Sequence, residues 1–359
     1  MGKYTKQKSG LYRTYVNTGE YDENGKPIRI SLSGHTIKEL EEKIAKTKED
    51  IKDRMNIAEE DMPFGKYAKK WFDTYKKPSR SNRTVIMYDD IVTRILSSLY
   101  NIPLNKLTRS DIQGVINSNS AHPRTCEQAL MTIKQICKSA VHDGLIRKSP
   151  VIDIDLPRHV KNEKRALTAD EKKAVKAAEL DDRERAYISL LLGTGMRPAE
   201  VMALTWGDID FKRKEIKVTK SLTFLKNGEP EVVYPKTNSG IRTIQAPDFV
   251  FNALLSYQGK TDSLIVFNGK KGGNIARTTS KRTWARIKRK IEKALGYETD
   301  LTEYCFRHNY CSELYYSGIS LLEAKRLMGH SSLDMVMKIY THLDAQKEDT
   351  AAKLNAINF

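Results

Sequence analysis

The sequence predicts a multidomain, mainly α-helical protein with α+β parts: a small β-sheet with one helix, then a helical domain, then a C-terminal α+β domain. Three observations support this fold class. Apolar residues alternate near the N-terminus, they recur at three- and four-residue spacings from Phe64 to about Val151, and the two patterns mix after residue 165. A chain of 359 residues is long enough for two or three domains.

The composition is strongly basic, with 62 Lys and Arg against 45 Asp and Glu, a net charge of +17 and a pI of about 9.5. The first 60 residues are nearly neutral, with 12 basic and 11 acidic side chains, so the excess lies in the later parts of the chain. Such an excess indicates a polyanionic partner, nucleic acid before a membrane surface. No apolar run has transmembrane length, and the N-terminus lacks the apolar core of a signal peptide. Four scattered cysteines fit a reducing cytoplasm and form no metal-ligand pattern.

The first predicted domain covers residues 1–56. Residues 11–16 and 27–32 alternate as two strands around a turn at 22–25, and Thr36 with Glu39 forms the capping-box pattern of a following amphipathic helix. A module of this kind binds either DNA or a protein partner, and its pattern alone does not decide between them.

The second predicted domain, residues 64–151, has helical periodicity throughout, with one helix starting at Thr108 and the last stopping at Gly144. Basic residues recur on its exposed side, where they fit either contacts to DNA phosphates or an ordinary solvated helix face. Those predicted to contact DNA are Lys70, Arg80, Arg83, Arg124, Lys134 and Lys138. Residues 152–166 are predicted to form an extended basic linker.

The third predicted domain covers residues 165–345. It opens with a second capping box at Thr168 and Glu171, continues with four short strands near residues 215–245, and ends in helices. One helix, 283–295, has an apolar face surrounded by basic residues, of which Arg282 and Arg286 are predicted to contact DNA.

Arg197 lies between a glycine-rich break and Pro198, a residue that suits the first position of a helix. That helix is predicted to end near Gly207. Backbone N–H groups at a helix start favour an anion, and Glu200, one turn later, is placed to brace the arginine. A surface Arg–Glu pair is the simpler alternative.

Four further places carry charged or nucleophilic side chains. Lys236 is predicted at the tip of a strand pair, Arg307 follows Tyr304 near a helix start, His330 follows a glycine at a break between helices, and Tyr340 lies in a helix. Each has a plain structural explanation when it is taken alone.

Taken together and in this order, these segments resemble the signature boxes of the tyrosine recombinases, the phage-integrase family. The segments are GTGMRPAEVMALTW, PKTNSGIRTI, Tyr304–His308, LMGHSS and KIYTH. The resemblance covers residues 165–345 as the catalytic domain. Residues 64–151 resemble the family's helical core-binding (SAM-like) domain, and residues 1–56 resemble the arm-binding domain of integrases from phages and conjugative transposons.

The resemblance implies an integrase that cuts and rejoins DNA through a 3′-phosphotyrosine intermediate, to integrate and excise a mobile element without metal, ATP or any other cofactor. The implied roles are nucleophile for Tyr340, phosphate binding for Arg197, Arg307 and His330, protonation of the leaving 5′-oxygen for Lys236, and support of Arg197 for Glu200.

Tyr304 departs from the family pattern, which usually has histidine three residues before the second arginine. A phenol can donate a hydrogen bond to the phosphate, but with a pKa near 10 it is a poor proton shuttle, so Tyr304 is predicted as a phosphate contact only. The departure leaves open a DNA-binding regulator with an impaired catalytic site. A relaxing enzyme like the type IB topoisomerases, or a hairpin-end resolvase, is a further alternative.

The implied partner is double-stranded DNA in the bacterial cytoplasm, with core sites and separate arm sites. A sheet face near Arg13, Lys26 and Arg29 is predicted to bind the arm sites. A homotetramer would exchange strands through a Holliday junction, with an excisionase or a DNA-bending protein as a further partner. The tail, residues 346–359, either packs on a neighbouring protomer, as is common in the family, or folds back on its own domain.

Overall fold

A computed structural model of the chain describes residues 4, 6, 7, 10–21, 26–52, 61–158, 165–235, 240–269, 272–329 and 332–347. The chain divides into two compact units, Met1–Lys161 and Asn162–Phe359. The division of the first unit into domains 1–56 and 64–151 stays a prediction.

The first unit begins with an antiparallel hairpin and one helix. Strand β1 (Tyr12–Tyr21) pairs with β2 (Pro27–Gly34), and helix α1 (Ile37–Lys52) follows. The predicted cap is present, since the Glu39 N–H donates to the Thr36 hydroxyl at 3.1 Å, although the Glu39 carboxylate accepts from the His35 N–H. The predicted turn at 22–25 lies outside the described residues.

The helical part of the first unit follows the predicted periodicity. Its helices are α2 (Phe64–Trp71), α3 (Asn82–Asp90), α4 (Arg109–Ser118) and α5 (Pro123–His142), and π-helical turns at Phe72–Lys76 and Ile91–Ile95 extend α2 and α3. Thr108 caps α4, and Gly144 follows α5 with a φ of 67°, as the sequence predicts. Fully buried side chains such as Tyr67, Ile112 and Ile133 form the core.

The first half of the predicted linker is attached to α4. Gln113 exchanges two hydrogen bonds with the backbone of Asp155, at 2.9 and 3.0 Å. Residues 159–164 lie outside the described residues.

The second unit mixes helices with short strands around one large core. Its helices are α6 (Ala169–Ala177), α7 (Asp182–Thr194), α8 (Pro198–Met202), α9 (Asp248–Gln258), α10 (Arg277–Leu295), α11 (Glu303–Tyr316), α12 (Leu321–Met328) and α13 (Asp334–Lys347). Its strands are β3 (Ile209–Asp210), β4 (Glu215–Val218), β5 (Ser221–Phe224), β6 (Pro230–Val233) and β7 (Arg242–Gln245). Among the described helices, none is both long and apolar enough to cross a membrane.

The strands form two antiparallel sheets. One has the order β3-β4-β7, with Ile216 opposite Ile244, and the other is the hairpin β5-β6. The strands on either side of Lys236 therefore belong to different sheets, and the prediction that they pair is wrong. Turn residues indicate where a chain reverses, but long-range burial selects the partner strand, and here β7 pairs with β4.

Helix α8 is shorter than predicted and ends at Met202 instead of near Gly207. Leu204 and Trp206 leave the helix to bond the chain around Leu264, through Val266 N–H to Leu204 O at 2.9 Å and Trp206 N–H to Leu264 O at 3.0 Å. These distant partners satisfy the backbone groups that a longer helix would have paired locally.

The cap of α4 gives a test of the first unit. Because the Thr108 hydroxyl accepts from the Asp111 N–H at 3.2 Å, we expect Thr108→Ala to lower the free energy of unfolding by about 1 kcal/mol in urea titrations of the full chain. Thr74→Ala, at an exposed threonine in the π-helical turn of the same unit, is the control, with an expected change below about 0.5 kcal/mol. Equal changes in the two variants would contradict the capping role.

Candidate active site

Arg197 lies between α7 and α8 in the setting that the sequence predicts. Gly195 ends α7 with a φ of 58°, and a Cβ there would lie 2.2 Å from a ring carbon of Tyr310, so both the backbone and the packing require glycine. Pro198 opens α8. The Arg197 side chain is 36% exposed, which makes it the most accessible of the site arginines described below.

Glu200 is the buried partner of Arg197. Its carboxylate accepts from Arg197 Nη1 and from the Arg197 N–H, both at 2.8 Å. The other side of the same carboxylate binds Arg242, with Nη2 at 2.8 Å and Nη1 at 3.2 Å. Burial raises the pKa of Glu200, but the contacts with Arg242 and Arg197 outweigh burial and lower it to about 2. Glu200 is therefore a carboxylate at neutral pH.

Arg307, in the second turn of α11, is buried. Its Nη1 donates to the Gly195 carbonyl at 2.5 Å and its Nη2 to the Met328 carbonyl at 2.6 Å. Burial and the neighbouring charges of Arg197 and Arg242 lower the pKa of Arg307 to about 9, with Glu200 acting in the opposite direction. The guanidinium remains charged at neutral pH.

The end of α12 is the meeting point of the three arginines. Arg242 Nε donates to Leu327 O at 2.8 Å, Arg307 Nη2 to Met328 O, and Arg197 Nη2 to Gly329 O at 3.4 Å. Three arginines and one glutamate leave two formal positive charges within this group of four side chains. Planar guanidinium groups held in this way suit a phosphate. Since α8 has only five residues, these side chains supply the positive charge in place of the helix dipole that the sequence suggested.

Arg242 is missing from the residues that sequence reasoning selected, although a signal for it exists. It lies two positions before Ile244 in β7, and Ile244 is fully buried. Because side chains alternate along a strand, an arginine in phase with a buried isoleucine points inward. An inward arginine needs a buried acid, and Glu200 is the acid that it binds.

Tyr340 lies in α13 beside α11 and α12. Its ring packs edge to face on Tyr315, with centroids 5.1 Å apart, and its hydroxyl donates to the Ile319 carbonyl at 3.2 Å. Burial, followed by the nearby Cys311, raises the pKa of Tyr340 to about 12. The phenol is therefore protonated at neutral pH and hydrogen-bonded to the main chain between α11 and α12.

Of the three remaining predicted catalytic residues, the structure describes only Tyr304. Tyr304 is the second residue of α11 and is 44% exposed. Lys236 and His330 lie outside the described residues, although His330 directly follows Gly329, whose carbonyl accepts from Arg197.

All of the predicted DNA-binding residues are exposed, and some have partners inside the protein. Arg124 pairs with Glu127 at 2.5 Å, and Arg13 Nε donates to the Ser31 hydroxyl. Arg286 contacts the fully buried Glu184 at 2.5 Å. The others exposed are Lys26, Arg29, Lys70, Arg80, Arg83, Lys134, Lys138 and Arg282. Their role in DNA binding stays a prediction.

Two family profiles match the chain. That of the phage integrase family covers residues 161–347, more than half of the chain, and that of the N-terminal SAM-like domain of phage integrases covers residues 63–119. The chain belongs to the phage integrase family. The resemblance drawn from the signature segments is confirmed.

Relatives match over nearly the whole length. A XerC-like tyrosine recombinase of Caldanaerobacter subterraneus is 26% identical, over 98% of this chain and 97% of the relative. The ICEBs1 integrase of Bacillus subtilis is 22% identical, over 97% of each.

Solved structures share the fold. The integrase of transposon Tn1549 in complex with circular-intermediate DNA superposes with a TM-score of 0.66 and 21% identity, over 78% of this chain and 95% of that chain. Lambda integrase, as a dimer bound to a core site, superposes with a TM-score of 0.61 and 19% identity, over 94% of each chain. The predicted fold class is confirmed.

The buried carboxylate makes stability depend on pH. Because folding lowers the pKa of Glu200 below its ordinary value near 4.3, this group stabilises the folded state above that value and loses the contribution as pH falls toward about 2. We expect Glu200→Gln to lower the free energy of unfolding by on the order of 3 kcal/mol at pH 7. Between pH 4.5 and 2, the free energy of unfolding should fall less in this variant than in the wild type. Urea unfolding at several pH values measures both effects, and parallel curves for the two proteins would contradict the assignment.

Proposed function

We propose that Tyr340 of this phage-integrase-family recombinase attacks a DNA phosphodiester, forming a 3′-phosphotyrosine and releasing a 5′-hydroxyl. The covalent bond would conserve the energy of the broken phosphodiester, so that rejoining needs no ATP. The observation that carries the proposal is the group of three arginines around one buried carboxylate, with the signature tyrosine in the same unit.

The arginines would stabilise the transition state. A pentacoordinate phosphorus carries extra negative charge on its non-bridging oxygens, and Arg197, the partly exposed member of the group, would donate to them. Arg307 and Arg242 would add positive potential from within the protein. Donors held in place before the reaction are worth on the order of a few kcal/mol each. In this scheme no metal ion is required to balance the charge.

The remaining steps are proton transfers. Lys236 would protonate the leaving 5′-oxygen, and His330 and Tyr304 would hydrogen-bond the scissile phosphate. Tyr340 would exchange its hydrogen bond with the Ile319 carbonyl for contact with the phosphate. Because its pKa is raised to about 12, attack also requires transfer of the phenolic proton to a base.

The proposed substrate is double-stranded DNA with core and arm sites, and the proposed reaction integrates and excises a mobile element in a homotetramer. The basic exposed residues of the first unit support binding to DNA phosphates. Support for the assembly comes from lambda integrase, which shares the fold with a TM-score of 0.59 and was solved as a tetramer bound to a Holliday junction. Binding of an excisionase or a DNA-bending protein belongs to the same proposal.

The first test is covalent trapping. We expect the wild-type protein, in EDTA, to form an adduct with nicked duplexes from the ends of its element, and Tyr340→Phe to form none, because phenylalanine lacks the attacking oxygen. Denaturing gels measure the adduct. The control is Tyr316→Phe, at an exposed tyrosine of α11, which should form the adduct normally. DNA binding without an adduct in the wild type would favour a regulator with an impaired site.

A second test concerns Tyr304. If its hydroxyl donates to the phosphate, Tyr304→Phe should slow cleavage by up to about tenfold, the value of one hydrogen bond. Tyr304→His should be faster than the wild type near pH 6.5, because imidazole exchanges protons there. Tyr297→Phe, at another exposed tyrosine, is the control for single-turnover rates. Unchanged rates in both Tyr304 variants would remove Tyr304 from the site.

A further inference from the structure

We propose that Arg242 is a positioning residue of the cleavage site, which sets both Arg197 and the end of α12 in place without touching DNA. The inference rests on the proposed function, since it concerns the same reaction. The Arg242 side chain is only 2% exposed, so it acts on a bound phosphate through its neighbours and through its charge.

The first link runs through Glu200 to Arg197. Arg242 binds both oxygens of the Glu200 carboxylate, and such a fork fixes the plane and the direction of the acid. Arg197 binds the same acid through one guanidinium nitrogen, Nη1. Without Arg242, the Glu200 carboxylate would keep only its contact with Arg197 among the described arginine contacts. It would then be able to turn toward Arg197. Arg242 therefore directs the partly exposed Arg197 side chain through Glu200.

The second link runs to the end of α12. Arg242 Nε donates to Leu327 O at 2.8 Å, one residue before the carbonyl that Arg307 binds. Gly329 has a φ of 63°, which favours glycine, and a Cβ there would lie 2.8 Å from Arg242 Nη1, so the guanidinium approaches the backbone closely at this point. The next residue is His330. Arg242 thus joins the loop of Arg197 to the turn that leads to the proposed histidine.

A purely structural ion pair is the alternative, and the second unit contains a chemically similar example, although the Arg165 side chain is 32% exposed and that of Arg242 only 2%. Arg165 binds both oxygens of the buried Glu171, at 2.7 and 2.8 Å. The Arg165 contact lowers the pKa of Glu171 to about 2, the same value as for Glu200. Arg165 also binds Asp300 and Thr299, and among the described contacts none joins it to Arg197 or Arg307. The two pairs have similar chemistry, but only that of Arg242 touches the site.

The experiment compares Arg242→Lys with Arg165→Lys in the full chain. Lysine keeps the charge but loses the planar fork. Thermal unfolding measures folding, and single-turnover adduct formation measures cleavage of two nicked duplexes. One duplex has a normal scissile phosphodiester, and the other has a methylphosphonate at that position. The methyl group replaces a charged non-bridging oxygen, so the second substrate has less charge for the arginines to stabilise.

The proposal predicts that the loss of cleavage rate in Arg242→Lys depends on the substrate. Arg242→Lys should slow cleavage of the phosphodiester by about 100-fold, similar to the loss of one preorganised donor, and that of the methylphosphonate by less than about tenfold. Arg165→Lys should change both rates by the same factor. As a second measurement, Arg242→Lys should add little to the loss of cleavage rate caused by Glu200→Gln, because both substitutions disturb the same contact between Glu200 and Arg197. In the Arg165→Lys, Glu200→Gln double variant, the fold-losses in cleavage rate of the two single variants should multiply.

Two outcomes would overturn the inference: equal losses on the two substrates for Arg242→Lys, or rate losses of Arg242→Lys and Glu200→Gln that multiply. If Arg242→Lys does not fold, Glu200→Gln is measured on the two substrates instead, and equal losses there would overturn the inference, because the link from Arg242 to Arg197 runs through Glu200. A wild-type protein that forms no adduct is a different result, because it removes the proposed function itself.

Discussion

The buried carboxylate of Glu200 is the constraint on which the site depends. Arg197, Arg242 and Arg307 repel one another, and burial makes that repulsion stronger because little water screens it. The lowered pKa of Arg307, about 9, reflects both burial and the like charges. One carboxylate that contacts two of the arginines makes the group tolerable and leaves two positive charges uncompensated. A phosphate bound here, as proposed, would supply the missing negative charge and would offset part of this repulsion.

The proposed nucleophile packs on α12, whose carbonyls the arginines bind, but among the described hydrogen bonds none joins Tyr340 to an arginine. Tyr340 packs with residues of α11 and α12 in a small cluster, and its hydroxyl bonds the Ile319 carbonyl. Exchanging one such hydrogen bond for another costs about 1 kcal/mol or less. Moving the Tyr340 hydroxyl to a DNA phosphate, as proposed, would therefore cost little free energy. The arginines are held by the carbonyls of three consecutive residues, Leu327 and Met328 of α12 and Gly329.

Local features of the site were predictable because they depend on residues within a few positions. Gly195 and Pro198 define where α7 ends and α8 begins, and the spacing of Arg197 and Glu200 brings the two side chains together. The caps at Thr108 and Thr168 follow the same logic. Helix α8 and the strands near Lys236 were predicted wrongly, since distant backbone partners decided where each one ends or pairs.

The sequence by itself determined the family, the fold class and the helix starts near the signature residues. Motifs and helix caps depend on residues that lie close together in the chain, so they can be recognised without the tertiary structure. Only the tertiary structure decided that Arg242 shares Glu200 with Arg197, that three arginines meet at the end of α12, and that Tyr340 bonds Ile319. Arg242 lies 42 positions from Glu200 and 85 from Leu327. Contacts at such separations arise from the packing of β7 against α12 and from the ion pair that joins β7 to α8, and no local pattern encodes which buried charges will face each other.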